Sequence, residues 1–429
     1  MPEAAEQNNA APSSDIPRLA AHLFRQEAGK LVSVLTGIFG IERLQMAEDV
    51  VQEALARALQ TWPFYGVPKN PAAWLTQTAK NLALDLIRRE KLFYDKQPQI
   101  ISFVENWGGE DETTPAFESE IKDRRLRLMF ACCHPAIAQE SQIALALKTL
   151  CGFSAAEIAS AFLTTEAAIE KRLVRARKQI KELRIPFEIP EGENSAARLD
   201  SVLHTLYLLF NEGYKASSGD LLIREDLCHE AIRLAALLTE QPVGNQPRAQ
   251  ALLALMLFNA ARFASRTDGA GNFVRLKEQD RSKWNRGMIA RAMLHLSRGA
   301  VGAEASSYHL EAAIAACHCV APDFESTNWP AIVSLYDQLA AIADSPVVAL
   351  NRAVAIGQAQ GPEAGLKVAR AVRERYSLDW HYLLHAVLGD FLCELKDHAA
   401  AAAHFARARE LTTVKSEQDY LAKRLAECA

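Results

Sequence analysis

The chain has 429 residues, 49% of them hydrophobic and 23% charged, with a formal net charge of −4. That length exceeds one compact core and predicts two or three domains, while the negative balance sits poorly with a protein that holds DNA unaided, because phosphate neutralisation supplies most of such affinity. Apolar stretches such as residues 249–261 are too short for a membrane span, the start MPEAAEQNNAAPSSD lacks the basic and apolar parts of a secretory leader, and eight cysteines without a disulfide-like framework fit a reducing, cytoplasmic setting.

Residues 1–17, rich in Ala, Asn, Pro and Ser, are expected to be disordered. Residues 18–91 read as a helical domain. Leu19, Leu23, Leu31, Val34, Leu35 and Ile38 mark a first helix. Residues 47–59 form a second, with Glu48, Asp49, Gln52 and Glu53 on a polar face above Val50, Ala54, Leu55 and Leu59. Pro63, Gly66, Pro68 and Pro71 break the chain into a loop that carries Trp62, Phe64, Tyr65 and Asn70. Helix resumes through residues 72–90, bearing Trp74, Gln77, Lys80, Asn81 and the pair Arg88-Arg89. Aromatics beside amides and cations suit single-stranded DNA: rings stack on bases, amides read exposed edges and cations track the backbone. Taken singly, Trp74 reads as core and Glu53 as a solvated carboxylate.

Residues 92–123 read as an acidic linker, with Gly108-Gly109, Pro115 and eight carboxylates against Lys96 and Lys122. The next unit, residues 124–185, is locally basic. Within it Ser154 and Glu157 have capping-box spacing, residues 161–163 close a short helix, and Thr164 is the expected cap of the next. In that second helix Ile169, Leu173, Ala176 and Ile180 recur at helical spacing, so they should be buried. Ala167, Lys171, Val174, Arg175 and Lys178 occupy the opposite face, with Arg172 and Arg177 at its edges. Two short helices around a tight turn, the second cationic, are what a helix-turn-helix delivers into a major groove. A basic reader beside an acidic tether suggests DNA binding that waits for a partner.

Residues 186–195 form a second linker, and residues 196–429 are Ala/Leu-rich and helical almost throughout. Residues 265–276 are the one plausible β element, a hairpin turned at 268–272. Near the end Leu388-Gly389, Ala401, Phe405 and Ala408 match tetratricopeptide spacing, where small residues let paired helices approach and an aromatic fills the gap. Stacked pairs of this kind build a groove suited to a peptide or protein partner. Cys132-Cys133-His134 and Cys317-His318-Cys319 with His309 lack the doubled ligand pairs of a zinc site, so no metal and no cofactor are expected. Asn211-Glu212-Gly213-Tyr214 and Glu278-Gln279-Asp280-Arg281 lack a nucleophile–base pair or a phosphate-cradling loop and read as helix ends and salt bridges, so the chain is not expected to be an enzyme.

Together the motifs resemble the extracytoplasmic-function (ECF) class of sigma-70-type RNA polymerase sigma factors. Residues 47–59 look like the clamp-binding helix of region 2, residues 70–89 its promoter-melting helix, and residues 152–180 the region 4 helix-turn-helix. The resemblance implies an all-α chain: a region 2 bundle, a region 4 helix-turn-helix and a tetratricopeptide-like extension, as in the ECF group with a large C-terminal extension. Residues 206–219, 276–289 and 345–366 resemble that group directly. By position, Glu48, Asp49, Gln52 and Glu53 would face core RNA polymerase, whose β′ clamp and β flap are the implied docking sites. Trp62, Phe64, Tyr65, Asn70, Trp74, Gln77, Lys80, Asn81 and Arg88 would handle the −10 element of promoter DNA. Thr165, Ala167, Ala168, Glu170, Lys171, Arg172, Val174, Arg175 and Lys178 would handle the −35 element. Glu170 departs from the basic or small polar residue often found at its position. The extension would regulate activity in place of a membrane-bound partner. The rival reading is a helix-turn-helix activator whose repeats sense a ligand or peptide; it leaves the constellation in residues 47–89 without a role.

Overall fold

A computed structural model describes residues 16–89, 115–162, 164–192, 194–214, 223–268, 273–302 and 305–428. Nineteen helices and no β-strand lie among them. The chain divides into two compact units, one of residues 1–159 and 164–205, the other of residues 160–163 and 206–429.

In the first unit, α1 (Ile16–Phe39) packs on α2 (Leu44–Tyr65), α3 (Pro71–Arg89), α4 (Pro115–Cys132) and α5 (Gln139–Cys151). Leu31, Val34 and Leu35 of α1 are buried, as their spacing predicts. The close approach of α1 to α5 rests on Gly29, because a Cβ there would overlap the Leu150 carbonyl. The helix-turn-helix consists of α6 (Ala155–Ala161) and α7 (Glu166–Glu182), with α7 packed on α5. Gly152 ends α5 in the left-handed conformation, φ 72°, which a residue with a Cβ resists.

The acidic linker differs from its expected extent. Residues 92–114 lie outside the described residues, but residues 115–123 belong to α4, whose N-terminal proline needs no amide partner. The junction to the extension differs too. α8 (Asn194–Tyr214) begins two residues before the expected start of that domain, and the division between units falls within this one helix, at Thr205.

The second unit is a succession of helices: α9 (Glu225–Thr239), α10 (Pro247–Ala260), the single turn α11 (Phe263–Arg266), α12 (Arg286–Gly299), α13 (Ser307–Val320), α14 (Trp329–Ile342), α15 (Pro346–Gln360), α16 (Pro362–Tyr376), α17 (Tyr382–Glu394), α18 (His398–Leu411) and α19 (Lys415–Ala426). From α12 onward each helix packs on the next. The tetratricopeptide spacing holds at the α17–α18 pair: Leu388, Ala401, Phe405 and Ala408 are buried, and a Cβ on Gly389 would meet Phe405 Cε1 at 2.7 Å. One pair earlier, Gly357 of α15 and Gly365 of α16 receive the Phe391 ring in the same way. The expected hairpin is not formed among the described residues. Residues 263–266 are helical, a lone antiparallel bridge joins Thr267 to Phe273, and residues 269–272 lie outside the described set.

Candidate nucleic-acid and polymerase interface

The helix-turn-helix is built much as its sequence dictates. Ser154 Oγ accepts from the Glu157 amide at 3.1 Å while the Glu157 carboxylate accepts from the Ser154 amide at 2.8 Å, so the capping box is reciprocal. The cap of α7 is Thr165, one residue later than expected; its hydroxyl accepts from the Ala168 amide at 3.2 Å. Ile169, Leu173, Ala176 and Ile180 are all buried. Ala167, Glu170, Lys171, Val174, Arg175 and Lys178 are exposed, and Val174 keeps 62% of its surface. Two cations at the edges are tied down. Arg172 pairs with Glu140 at 2.9 Å, and Arg177 pairs with Glu48 of α2.

That last pair corrects one expectation. Glu48 is not on the open polar face of α2: only 3% of its side chain is exposed, Arg177 donates to one carboxylate oxygen and Thr149 Oγ1 donates to the other at 2.6 Å. The packing of α5 and α7 over this end of α2 encloses it. Asp49 and Glu53 remain exposed and Gln52 half-buried; Asp49 accepts from Gln45 Nε2 at 2.6 Å and Glu53 pairs with Arg57 at 3.1 Å. Asp49, Glu53 and Asp85, with Arg43, Arg57 and Arg89, line an open groove of about 590 Å³ on α2 and α3.

Trp62 is the second correction. It is 2% exposed and meets Trp74 edge to face at 5.5 Å, so it belongs to the core and not to a base-stacking surface. The α2 helix runs through Pro63 to Tyr65, which leaves Phe64 and Tyr65 at its tip, 83% and 88% exposed. Trp74 is half-buried. Asn70 accepts from the Ala73 amide at 3.1 Å at the start of α3, Lys80 is half-buried, and Gln77 donates to Asn81 at 3.0 Å on an exposed face ending in Arg88. The Glu48–Arg177–Thr149 arrangement itself was not legible beforehand: its partners are 101 and 129 residues apart, and only the placement of Arg177 at the rim of an apolar stripe hinted at it.

The clusters set aside as metal or catalytic sites have structural partners. Cys132 and Cys133 are buried thiols, which burial pushes up, Cys133 to about 12. Asp280 caps a 3-10 turn through the Ser282 amide, and Arg281 donates to the carbonyls of His318 and Ala321, each at 2.7 Å. A grouping not marked by sequence spacing, Cys393, His398 and Cys428, brings one donor atom each to within 4.8 Å of one another, one short of a closed tetrahedral set. No helix among the described residues is long and apolar enough to cross a membrane.

A small bundle with an exposed aromatic tip thus accompanies a capped, basic helix-turn-helix. Residues 23–93 match the family described as Sigma-70 region 2, residues 127–180 match Sigma-70, region 4, and residues 198–300 match a family of unknown function (DUF6596). The ECF RNA polymerase sigma factor SigL of Mycobacterium tuberculosis (strain ATCC 25618 / H37Rv) is 31% identical over 136 residues, 32% of this chain and 72% of that protein. An uncharacterized protein of Rhizobium meliloti (strain 1021) is 39% identical over 384 residues, 89% of this chain and 90% of that one. The chain therefore belongs to the ECF class of sigma-70 factors, and its likeness to the Rhizobium protein takes in the extension. No solved structure matches it. Membership implies two partners, core RNA polymerase and promoter DNA.

Proposed function

We propose that the chain gives core polymerase its promoter specificity and helps open the DNA, while nucleotidyl transfer stays with the polymerase. The exposed face of α7 carries this reading: Lys171, Arg175 and Lys178 surround an uncovered Val174 above a fully buried stripe. On this reading that face takes the −35 element, the cations on phosphates and Val174 against a base edge. Phe64 and Tyr65, with Asn70, Gln77, Lys80, Asn81 and Arg88, take the −10 element as a single strand. The groove lined by Asp49 and Glu53 meets the polymerase β′ clamp, and region 4 meets the β flap. The extension regulates these contacts.

The closed pairing of Glu48 with Arg177 adds a condition. A compact unit of about 200 residues is roughly 40 Å across. Elements about 25 base pairs apart are roughly 85 Å apart along B-form DNA. Packed as they are, the two modules do not span a promoter, so α5 and α7 leave α1 and α2 when polymerase takes the chain. Run-off transcription with purified chain and core polymerase tests the reading. Arg175→Ala should lower affinity for the duplex −35 element by about 1–3 kcal/mol if its contact is bidentate to guanine, and Asn81→Ala should slow opening with duplex binding retained. Failure of both variants at the same step would refute the division of labour.

A further inference from the structure

The second unit holds a partly open cavity of about 570 Å³, within the range of small-molecule sites, walled by parts of α8, α10, α13, α14 and α15. Three sequence stretches that no promoter or polymerase role absorbs meet on its wall: Tyr214 comes from the first, Leu276 from the second and Asn351 from the third. Two charged groups line it, and neither has a counter-charge. Glu311 of α13 receives a hydrogen bond from Tyr207 Oη at 3.0 Å, and among the described residues no Lys, Arg or His pairs with its carboxylate. Burial among tyrosines pushes that carboxyl up to about 7. Arg262, just beyond the end of α10, donates through Nε to Gln279 at 3.3 Å and lies over the Trp284 ring at 5.5 Å, with no carboxylate against it among the described residues. His318, also on the wall, is held neutral by burial and by the nearby charges of Arg262 and Arg281, and its Nδ1 has no partner.

Two of these groups share one helix. Glu311 and His318 are seven residues apart on α13, on one face and about 10 Å apart along the axis. Arg262 lines the same cavity from beyond the end of α10. An acid without a basic partner and a guanidinium without a carboxylate partner, among the described residues, thus line one cavity, with Trp329 and Ile332 also on its wall. Burying either charge alone is costly, and a ligand that pairs both removes both costs.

We propose that this cavity binds an elongated zwitterion, of the short-peptide or basic-amino-acid class, with its cation on Glu311 and its carboxylate on Arg262. Extended peptide advances about 3.3–3.6 Å per residue, so an alanine series steps the distance between its two end charges by that increment. Free arginine carries the same two charges with its side chain as the spacer.

Isothermal titration of the full chain with di-, tri- and tetra-alanine and with arginine tests this directly. Binding should peak at one length in the alanine series, and acetylating that peptide's N-terminus or amidating its C-terminus should each weaken binding at least tenfold. Tighter binding of arginine than of that peptide would assign the basic amino acid as the source; the reverse would assign the peptide. Glu311→Gln should abolish the penalty for acetylation and leave that for amidation. The blocked-terminus series uses the unaltered chain, so misfolding of a variant cannot mask the answer. Absence of binding by every probe, or affinities indifferent to charge at either terminus, would overturn the proposal while leaving the promoter-directed reading untouched.

Discussion

Trp62 and Glu48 show how single residues change meaning with burial. Both belong to motifs whose types suit a nucleic-acid or polymerase surface, yet both lie inside. Sequence reports that a tryptophan precedes a proline-bounded tip; it does not report that the helix continues through Pro63 and turns that ring onto Trp74. Trp62→Ala should therefore cost about 3–5 kcal/mol of stability by leaving a cavity, whereas Phe64→Ala should leave the denaturation midpoint unchanged and impair promoter opening. Equal and small stability changes in both would place Trp62 back on the surface. Glu311 gives a second residue-scale test. Its carboxyl sits near 7 in the folded chain against about 4.5 when exposed, so the folded state holds its proton more tightly. Stability from this group is present below pH 4.5 and is lost as pH rises to about 7. Glu311→Gln should thus be more stable than the parent at pH 8 by about 3 kcal/mol, with the gap closing towards pH 4.5. A pH-independent gap in urea-melting experiments would contradict this.

At the scale of elements, the periodic apolar stripes were the most legible part of the chain. The α7 stripe is fully buried, the capping box is formed, and the α17–α18 pair packs as the tetratricopeptide spacing requires. Each of these is local, set by residues within one or two turns or across one short loop. What was not legible depends on distant neighbours: the enclosure of Glu48 and the convergence of three stretches on one cavity. The helical start of α4 inside an acidic stretch shows the converse error, in which charge and glycine content suggest a strap where the chain from Pro115 onward is helical. The repeat packing is testable at Gly389. Gly389→Ala should destabilise the chain by about 1–3 kcal/mol because the new methyl meets the Phe405 ring. Adding Phe405→Leu should recover part of that loss, and strict additivity of the two in thermal melts would show that the helices do not meet there.

At the scale of the whole molecule, the region 2 and region 4 modules are folded against each other in one unit. Gly29 permits the approach of α1 to α5, and the Glu48–Arg177 pair, with Thr149, holds α2 against α5 and α7. Removing one partner by mutation would strand the other as a buried charge, at a cost of about 3–5 kcal/mol. Gly29→Ala is the cleanest way to open the packing. Its methyl overlaps the Leu150 carbonyl, yet alanine favours α1 itself by about 1 kcal/mol. The variant should bind duplex −35 DNA without polymerase better than the parent does, and unchanged binding would mean that closure does not restrain α7.

The most direct measurement is the distance between spin labels at the exposed positions 65 and 178, with and without core polymerase. The free chain should give a short, narrow distribution that moves beyond about 60 Å on adding polymerase, approaching the roughly 85 Å separation of the promoter elements, with Gly29→Ala partly separated beforehand. A short distance that persists in the polymerase-bound chain would contradict this.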